Sequence, residues 1–264
     1  MRLFKGDCFE MMQNIPDCSI DMILCDLPYG NKTGFKWDSK LPLNKIWESY
    51  KRIITKNGII ALFAVEPFTS YLVMSNIEMF RYKWVWQKEQ GSNWQLAKIQ
   101  PLNVIEDICI FSFGKSANGA KLKANYFPII VKRDTISKSG GKPSSTDILH
   151  KNSMVALHKV YETAYPTNIL KFNRVHSSAR IHPTQKPVAL LEYLIRTYTN
   201  ENDMVLDNCF GSCSTGVACV HTHRDFIGIE KNEEFFKKGK DWLLKEIDKQ
   251  GLFSGENNGV EIKE

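Results

Sequence analysis

The chain has 264 residues, of which 43% are hydrophobic and 24% charged, the composition of a folded globular protein rather than a disordered one. No run of about 18 apolar residues occurs, so the sequence predicts no membrane-spanning helix. The first residues lack the apolar core of a secretory signal, and together these features predict a cytoplasmic protein.

Positive charge is concentrated in one part of the chain. The formal net charge is +6, yet residues 115–186 hold 13 Lys and Arg against 3 Asp and Glu, which leaves −4 for the rest. Residues 116–180 also show little sustained periodicity, as is typical of an inserted functional segment. A solvated loop would show the same charge, but a basic segment on a neutral-to-acidic body favours contact with a polyanion.

Short apolar runs predict strands, and stretches of helical periodicity separate some of them. In chain order we predict a strand at 19–25, a helix at 43–55 ended by Asn57 and Gly58, strands at 58–64, 81–86 and 104–111, a helix at 187–198, strands at 203–206 and 225–229, and a helix at 232–249. This alternation predicts an α/β fold with a doubly wound, mostly parallel sheet. Residues 1–115 and 181–250 would form two halves of one domain around the insert 116–180, with 251–264 as a flexible tail.

The seven cysteines lie mostly within apolar runs, which indicates reduced, buried thiols. Candidate metal ligands by residue type are Cys209, Cys213, Cys219, His221 and His223. Their spacings match none of the common zinc patterns, so we predict no metal site.

An acid, a proline and an aromatic residue follow the first predicted strand, in the segment Asp26-Leu27-Pro28-Tyr29. Side chains at the carboxyl end of a parallel strand face a ligand rather than the core. The Asp26 carboxylate and the Pro28 carbonyl can accept hydrogen bonds from an amino group, and the Tyr29 ring offers a flat face for stacking. The segment predicts a site for a planar amine, with a plain β-turn as the alternative.

A second turn rich in small residues, 207–215, follows a later strand, and the next strand ends at Glu230. A glycine-containing turn that opens a helix, with an acid ending the next strand, is typical of sites that bind an adenosine ribose. The glycine pattern of dinucleotide sites and that of phosphate-binding loops are both missing. The sequence therefore disfavours NAD and excludes a phosphate-cradling loop at motif level.

These segments resemble the β group of amino-group DNA methyltransferases. Asp26-Leu27-Pro28-Tyr29 is similar to the D-P-P-Y motif, residues 207–215 to the D-x-F-x-G-S-G-T-T cofactor loop, and residues 182–187 to the H-P-T-Q-K-P segment. Gly6-Asp7-Cys8 is similar to a further family element. The motifs stand in the β-group order and the resemblance covers nearly the whole chain outside 116–180, with phage-borne, solitary and restriction-modification enzymes nearest in character.

The resemblance implies the Rossmann-like methyltransferase fold with S-adenosylmethionine as the cofactor. It implies cofactor contacts from four segments. Asp7 would contact the adenine, Thr184, Gln185 and Lys186 the amino-acid end, Asp207 and Gly211, with Ser212 beside them, the methionine and ribose, and Glu230 the ribose hydroxyls.

One residue departs from the family loop, because Cys213 stands where the family has its second glycine. Glycine there permits either a close approach or a positive φ, and cysteine tolerates both poorly. We therefore predict local strain, with an effect of about 1–3 kcal/mol on cofactor binding. We expect an active enzyme, and an inactive DNA-binding relative stays open as an alternative.

The resemblance also implies transfer of a methyl group to the exocyclic amine of a base in duplex DNA, through Asp26, Pro28 and Tyr29 as catalytic residues. In the family, Asp at the first motif position goes mainly with adenine and Ser with cytosine. Asp26 therefore favours N6 of adenine, with N4 of cytosine as the alternative. Methylation of a cytosine carbon needs an attacking thiolate, usually in a Pro-Cys dipeptide, and this sequence has none.

Two other enzyme classes are disfavoured. The basic insert and the motif order speak against a methyltransferase for RNA or protein glutamine, and the missing dinucleotide pattern speaks against an oxidoreductase. A cognate restriction endonuclease as a partner, and the choice between monomer and homodimer, stay open.

The basic insert is the predicted target-recognition region. Candidate DNA-binding residues are Lys121, Lys123, Lys132, Arg133, Lys138, Lys142, Arg174 and Arg180. The lysines and Arg133 are candidates for phosphate contacts, and Arg174 and Arg180 for reading guanine edges. Trp84, Trp86 and Trp94 are predicted to lie in the core or a pocket wall.

Overall fold

The computed structural model describes residues 1–30, 41–139, 159–251 and 259–263. The strands in these ranges are β1 (Arg2–Lys5), β2 (Ile20–Cys25), β3 (Ile54–Ala64), β4 (Phe80–Ser92), β5 (Asn103–Phe111), β6 (Val131–Ser139), β7 (Lys159–Ala164), β8 (Ile169–Lys171), β9 (Met204–Asp207), β10 (Asp225–Glu230) and β11 (Glu261–Lys263). The α-helices are α1 (Cys8–Met12), α2 (Leu43–Ile53), α3 (Phe68–Ser75), α4 (Val188–Tyr198), α5 (Ser214–Thr222) and α6 (Glu233–Lys249).

The chain folds into two compact units, Met1–Phe127 with Asn168–Glu264, and Pro128–Thr167. The smaller unit contains the antiparallel pair of β6 and β7. Residues 116–127 and 168–180, which composition assigns to the insert, belong to the larger unit. The reason is hydrogen bonding: β8 pairs with β4, and the Phe127 amide donates to the Thr197 carbonyl at 2.7 Å.

The larger unit is built on one sheet with the strand order β11-β1-β10-β9-β2-β3-β5-β4-β8. Strands β1, β10, β9, β2 and β3 are neighbours and all parallel. β5 lies between β3 and β4 and runs antiparallel to both. The predicted α/β class with a mostly parallel sheet is confirmed.

Helices cover both faces of this sheet, as a doubly wound fold requires. The core on one face includes Met12 of α1, Trp47 of α2 and Leu72 of α3. The core on the other includes Leu194 of α4 and Val217 of α5, together with α6. Apolar residues three and four positions apart create each buried helix face, and no helix in the described part of the chain is long and apolar enough to cross a membrane.

The predicted end of the first long helix is wrong. α2 ends at Ile53, and Gly58 lies inside β3 rather than after a helix. Ile54 already pairs with Ile20 of β2, so the backbone enters the sheet there and the register then shifts before Ile59. A Cβ on Gly58 would lie 2.9 Å from the Asp21 carbonyl, so this glycine serves a close strand approach.

Two further predictions are wrong. Residues 261–263, predicted as part of a flexible tail, form β11 and pair in parallel with β1, where backbone hydrogen bonds hold them. Trp94, predicted to lie in the core or a pocket wall, is 66% exposed in the turn between β4 and β5 and is not among the residues that line the cavity described below, whereas Trp84 and Trp86 lie in the core as predicted.

Tyr50 provides a first test of how the helix layer supports the turn after β9. Its fully buried hydroxyl donates to Asn208 Oδ1 at 2.5 Å, joining α2 to that turn. We expect Tyr50→Phe to lower the free energy of unfolding by about 1–3 kcal/mol, because a buried acceptor loses its donor. Urea denaturation would measure it, with the exposed Tyr165→Phe expected to change stability by less than about 0.5 kcal/mol. Equal effects of the two substitutions would contradict the role of this hydrogen bond.

Candidate active site

Four carboxylates gather at one edge of the sheet. Asp7, Asp26, Asp207 and Glu230 lie at or just beyond the carboxyl ends of β1, β2, β9 and β10. Those four strands are adjacent and parallel, so their ends meet at the same edge. In open α/β sheets this edge is where ligands bind.

A cavity of about 580 Å³ opens at this edge. Its lining includes all eleven residues that the sequence predicts as catalytic or cofactor-binding. They are Asp7, Asp26, Pro28, Tyr29, Thr184, Gln185, Lys186, Asp207, Gly211, Ser212 and Glu230. The structure thus brings residues from five distant segments together around one space, and the volume lies within the range of small-molecule sites.

Glu230 and Gly211 shape one wall of the cavity. Glu230 Oε2 accepts from the Gly211 amide at 2.9 Å, and Oε1 accepts from the Asn232 amide at 2.7 Å. Burial raises the pKa of the Glu230 carboxyl, and these amide donors oppose the shift. Gly211 has φ +50°, and a Cβ there would lie 3.3 Å from the His182 ring, so only glycine fits without strain.

The buried carboxylate of Asp207 accepts hydrogen bonds from the turn after β9 through both of its oxygens. Its Oδ2 accepts from Thr215 Oγ1 at 2.6 Å and its Oδ1 from the Cys209 amide at 3.2 Å. Burial raises the pKa of Asp207 to about 6, and these donors oppose the shift. Both carboxylate oxygens are therefore engaged in holding the turn in its conformation.

Cys213 directly precedes α5 and has a left-handed backbone conformation, with φ 64° and ψ 25°. This is the positive φ that the substitution of the family glycine predicts. The Cys213 side chain is fully buried. Its Sγ lies close to Gly216 of α5, since a Cβ added to Gly216 would be only 2.8 Å from that sulfur. The thiol therefore packs against the first turn of α5.

The remaining predicted cofactor residues have local partners. Asp7 Oδ1 accepts from the Phe9 amide at the start of α1, and Asp7 Oδ2 lies 3.1 Å from Lys231 Nζ. Thr184 Oγ1 is 3.1 Å from His182 Nδ1, and Gln185 Oε1 accepts from the Ile181 amide. Burial and then nearby Lys186 lower the pKa of His182 to about 4, so this imidazole is neutral at neutral pH.

Asp26 lies in a buried network of ion pairs. Tyr29 Oη donates to Asp26 Oδ1 at 2.6 Å, and Lys186 Nζ lies 2.8 Å from Asp26 Oδ2. Lys186 Nζ is also 2.5 Å from Glu106 Oε1, and Lys88 Nζ is 2.8 Å from Glu106 Oε2. We call Asp26, Lys186, Glu106 and Lys88 the charge chain.

Sequence reasoning did not identify Glu106 and Lys88 as site residues. β5 runs antiparallel to β3, so the start of β5, where Glu106 stands, lies beside the end of β3 at the ligand edge. A signal was available, because two acids, Glu106 and Asp107, interrupt the otherwise apolar strand 104–111. Glu106 and Lys88 reach Asp26 through Lys186 and are not among the residues that line the cavity. Phe63, His182 and Phe235 do line it and were not predicted as site residues either.

The predicted DNA-binding residues fall in both compact units. In the larger unit Lys121 and Lys123 are exposed, Arg174 Nε lies 3.6 Å from Glu89 Oε1, and Arg180 Nε donates to the Val175 carbonyl. In the smaller unit Lys132 and Arg133 are exposed. Lys142 and the side chain of Lys138 lie outside the described residues.

Comparison with known proteins identifies the family. The family model described as DNA methylase (N6_N4_Mtase) matches residues 20–241, most of the chain. The chain belongs to this family. The methyltransferase prediction drawn from the motifs is therefore confirmed.

Relatives extend over nearly the whole of this DNA methylase. It is 27% identical over 261 residues to the type II methyltransferase M.HpaI of Haemophilus parainfluenzae, with 93% of this chain and 75% of that protein covered. It is 26% identical to the DNA adenine methyltransferase YhdJ of Escherichia coli K12, with 96% and 85% covered.

Solved structures share the fold. The M1.HpyAVI–SAM complex matches with a TM-score of 0.60 and 26% identity, covering 92% of this chain and 99% of that one. The cytosine-N4-specific PvuII DNA methyltransferase matches with a TM-score of 0.63 over 99% of this chain and 94% of that one. At 14% identity the second likeness concerns the fold alone.

Cys213 provides a test of strain in the turn. We expect Cys213→Val to lower the free energy of unfolding by about 2–4 kcal/mol, because a β-branched residue at positive φ is strongly disfavoured. Cys219→Val is the matched control, since Cys219 is equally buried but lies inside α5. Thermal or urea unfolding would measure both, and a control that loses as much stability as Cys213→Val would contradict the strain.

Proposed function

We propose that this protein transfers a methyl group from S-adenosylmethionine to N6 of adenine in duplex DNA. One observation carries the proposal: the cavity at the sheet edge is lined both by an amine-accepting segment, Asp26 to Tyr29, and by the turn 207–215 with Glu230. The two halves of the predicted reaction site thus share one space. Membership in the DNA methylase family supports the same reaction.

The residues of the turn fit an adenosyl cofactor. The Glu230 carboxylate ends β10 at the cavity, the position from which an acid accepts hydrogen bonds from ribose hydroxyls. Gly211 removes a side chain from the adjacent wall, which gives the ligand close access to the backbone. The solved structure of M1.HpyAVI, which matches 92% of this chain, is a complex with S-adenosylmethionine and supports the same cofactor here.

When bound, S-adenosylmethionine supplies a methyl group on a sulfonium, which is electrophilic without activation by the protein. The task of the chain is therefore to position the target amine, whose lone pair is delocalised into the base. The Asp26 carboxylate and the Pro28 carbonyl would accept its two N–H hydrogen bonds. These bonds favour a tetrahedral nitrogen and stabilise the positive charge that develops during transfer.

Tyr29 would hold the base after it leaves the duplex. Its ring stacks on Phe68 with centroids 4.9 Å apart, so Phe68 backs the ring from one side. Stacking of a base on such a ring contributes about 1–3 kcal/mol. This offsets part of the cost, a few kcal/mol by order of magnitude, of extracting the base from its stack.

The choice of adenine rests on the names of relatives and on Asp26. YhdJ is a DNA adenine methyltransferase by name and covers 96% of this chain at 26% identity. The N4 position of cytosine is the alternative, and it is not favoured, because the likeness to the cytosine-N4-specific PvuII enzyme, at 14% identity, concerns the fold alone. Exposed basic residues such as Lys121, Lys123, Lys132 and Arg133 are proposed phosphate contacts.

Expression in a methylation-deficient bacterium tests the reaction and the base together. Single-molecule sequencing of the genome should find N6-methyladenine at one short motif. N4-methylcytosine there would overturn the choice of base. Unmodified DNA from cells that contain folded, cofactor-binding protein would overturn the proposed reaction.

Asp26→Asn tests the amine acceptor with little change of shape. We expect the single-turnover rate to fall by about 10²–10³-fold, because the amide carries no charge to stabilise the transition state. Cofactor affinity, measured by calorimetry, should stay within about threefold. Asp241→Asn, at an exposed position on α6, is the control and should keep the full rate. Equal rates for Asp26→Asn and the control would contradict the role of Asp26.

Glu230→Gln tests the cofactor wall. We expect about 10- to 100-fold weaker binding of S-adenosylmethionine, since hydrogen bonds to a charged acceptor contribute about 1.5–3 kcal/mol. The exposed Glu234→Gln, four residues further on, should bind as the unmodified chain does. Undiminished affinity in Glu230→Gln would contradict the assignment of the ribose to this residue.

A further inference from the structure

Lys186 lies between two carboxylates rather than facing one. Its ammonium group is 2.8 Å from Asp26 Oδ2 and 2.5 Å from Glu106 Oε1, and it lies 4.8 Å from the centre of the Phe63 ring. Lys186 and Glu106 are 8% and 5% exposed. Buried charges of this kind persist only when they are closely paired. The charge chain satisfies that condition, because its two ammonium groups and two carboxylates alternate and sum to zero.

Glu106 is buried and is not among the residues that line the cavity, so it is not placed to receive a substrate amine. Its Oε1 is bound by Lys186 and its Oε2 by Lys88, whose ammonium group lies 4.9 Å from the centre of the Trp86 ring. Asp26 differs, because its side chain is 21% exposed at the cavity. Among the residues that the structure describes, each of its oxygens has one partner, and a carboxylate oxygen can accept two hydrogen bonds. Asp26 is therefore the member of the charge chain that can receive a ligand.

We propose that Lys186 is a positioning residue for methyl transfer: its ammonium group holds the Asp26 carboxylate ionised and oriented toward the target amine, and Glu106 limits this effect by sharing the ammonium. The proposal rests on the proposed function, because it takes Asp26 as the acceptor of the amine. It gives Lys186 a role toward the base in addition to the one that its motif implies toward the cofactor.

The electrostatics of Asp26 agree with this role. Burial raises the pKa of the Asp26 carboxyl, the Lys186 ammonium opposes the rise, and the Glu106 carboxylate adds to it. The other described groups that face Asp26 are the Tyr29 hydroxyl, which donates to it, the buried Asp207 at the end of the neighbouring strand β9, and the buried Cys25, which precedes Asp26 on β2.

The two neighbours of Asp26 therefore act in opposite directions. Loss of the Lys186 charge raises the pKa of Asp26, so the ionised form appears only at higher pH. Loss of the Glu106 charge leaves Lys186 to Asp26 alone and lowers the pKa of Asp26, so the ionised form survives to lower pH.

The test is the pH dependence of single-turnover DNA methylation between about pH 5 and pH 9. The acid limb is the pH range in which the rate falls as Asp26 becomes protonated. In Lys186→Met we expect this limb to move up by about one pH unit or more. The rate near neutral pH should then fall by about tenfold or more and partly recover at alkaline pH. In Glu106→Gln we expect the limb to move down. Lys186→Arg keeps the charge and should keep the limb close to its original position.

Lys83→Met is the matched control. Like Lys88, Lys83 lies on β4 and pairs with a carboxylate of β5, in its case Asp107 at 3.1 Å. Unlike Lys186, it is not among the residues that line the cavity. Its acid limb should not move. Unfolding temperature and affinity for S-adenosylhomocysteine are measured for every variant. These measurements separate loss of folded protein or of the cofactor site from a shift of the acid limb.

Two results would overturn the proposal: slower methylation in both variants with unmoved acid limbs, or limbs that move in the same direction. Should Lys186→Met fail to fold, the direction of the shift in Glu106→Gln decides alone. A failure of the proposed function is distinguishable, because the unmodified protein would then leave DNA unmethylated at every pH.

Discussion

The site depends on the parallel pairing of β1, β10, β9 and β2. Each strand alone places one acid at its end, and none of these acids is near another in sequence. Hydrogen bonding of the four strands in one direction brings Asp7, Glu230, Asp207 and Asp26 to a common edge. The helices on both faces bury the apolar sides of these strands and thereby hold the edge in register.

The turn after β9 is held by several side-chain hydrogen bonds and contains one residue, Cys213, in a strained backbone conformation. Asp207 binds the turn at two points, and Glu230 binds the Gly211 amide from the next strand. These contacts keep Cys213 at a positive φ that cysteine avoids in an unconstrained chain. The acids thus fix the backbone of the turn as well as offering acceptors to a ligand, so the shape of the cavity and its chemistry have the same origin.

Local patterns locate Asp26, Asp207 and Glu230, because each directly follows an apolar run that buries itself as a strand. They do not locate Glu106 and Lys88, whose position at the site depends on β5 entering the sheet antiparallel between β3 and β4. The acids within the apolar run 104–111 mark an unusual strand, but they do not show which strands it pairs with, because those partners lie far away in the sequence. The same limit explains the misjudged end of α2, where pairing of Ile54 with Ile20 ends the helix before Asn57 and Gly58.

Because the charge chain has no net charge, attraction to DNA and reception of the target base would depend on different groups of this protein. A buried cluster with no net charge exerts little pull on distant phosphates, and counter-ions in solution screen it weakly. In the proposed reaction, attraction to DNA would depend on the exposed basic residues, and their contribution would weaken as added salt reduces the gain from counter-ion release. Ionic strength would then change the rate at which the protein encounters a duplex. The buried ion pairs around Asp26, which would receive the base, would change little with it.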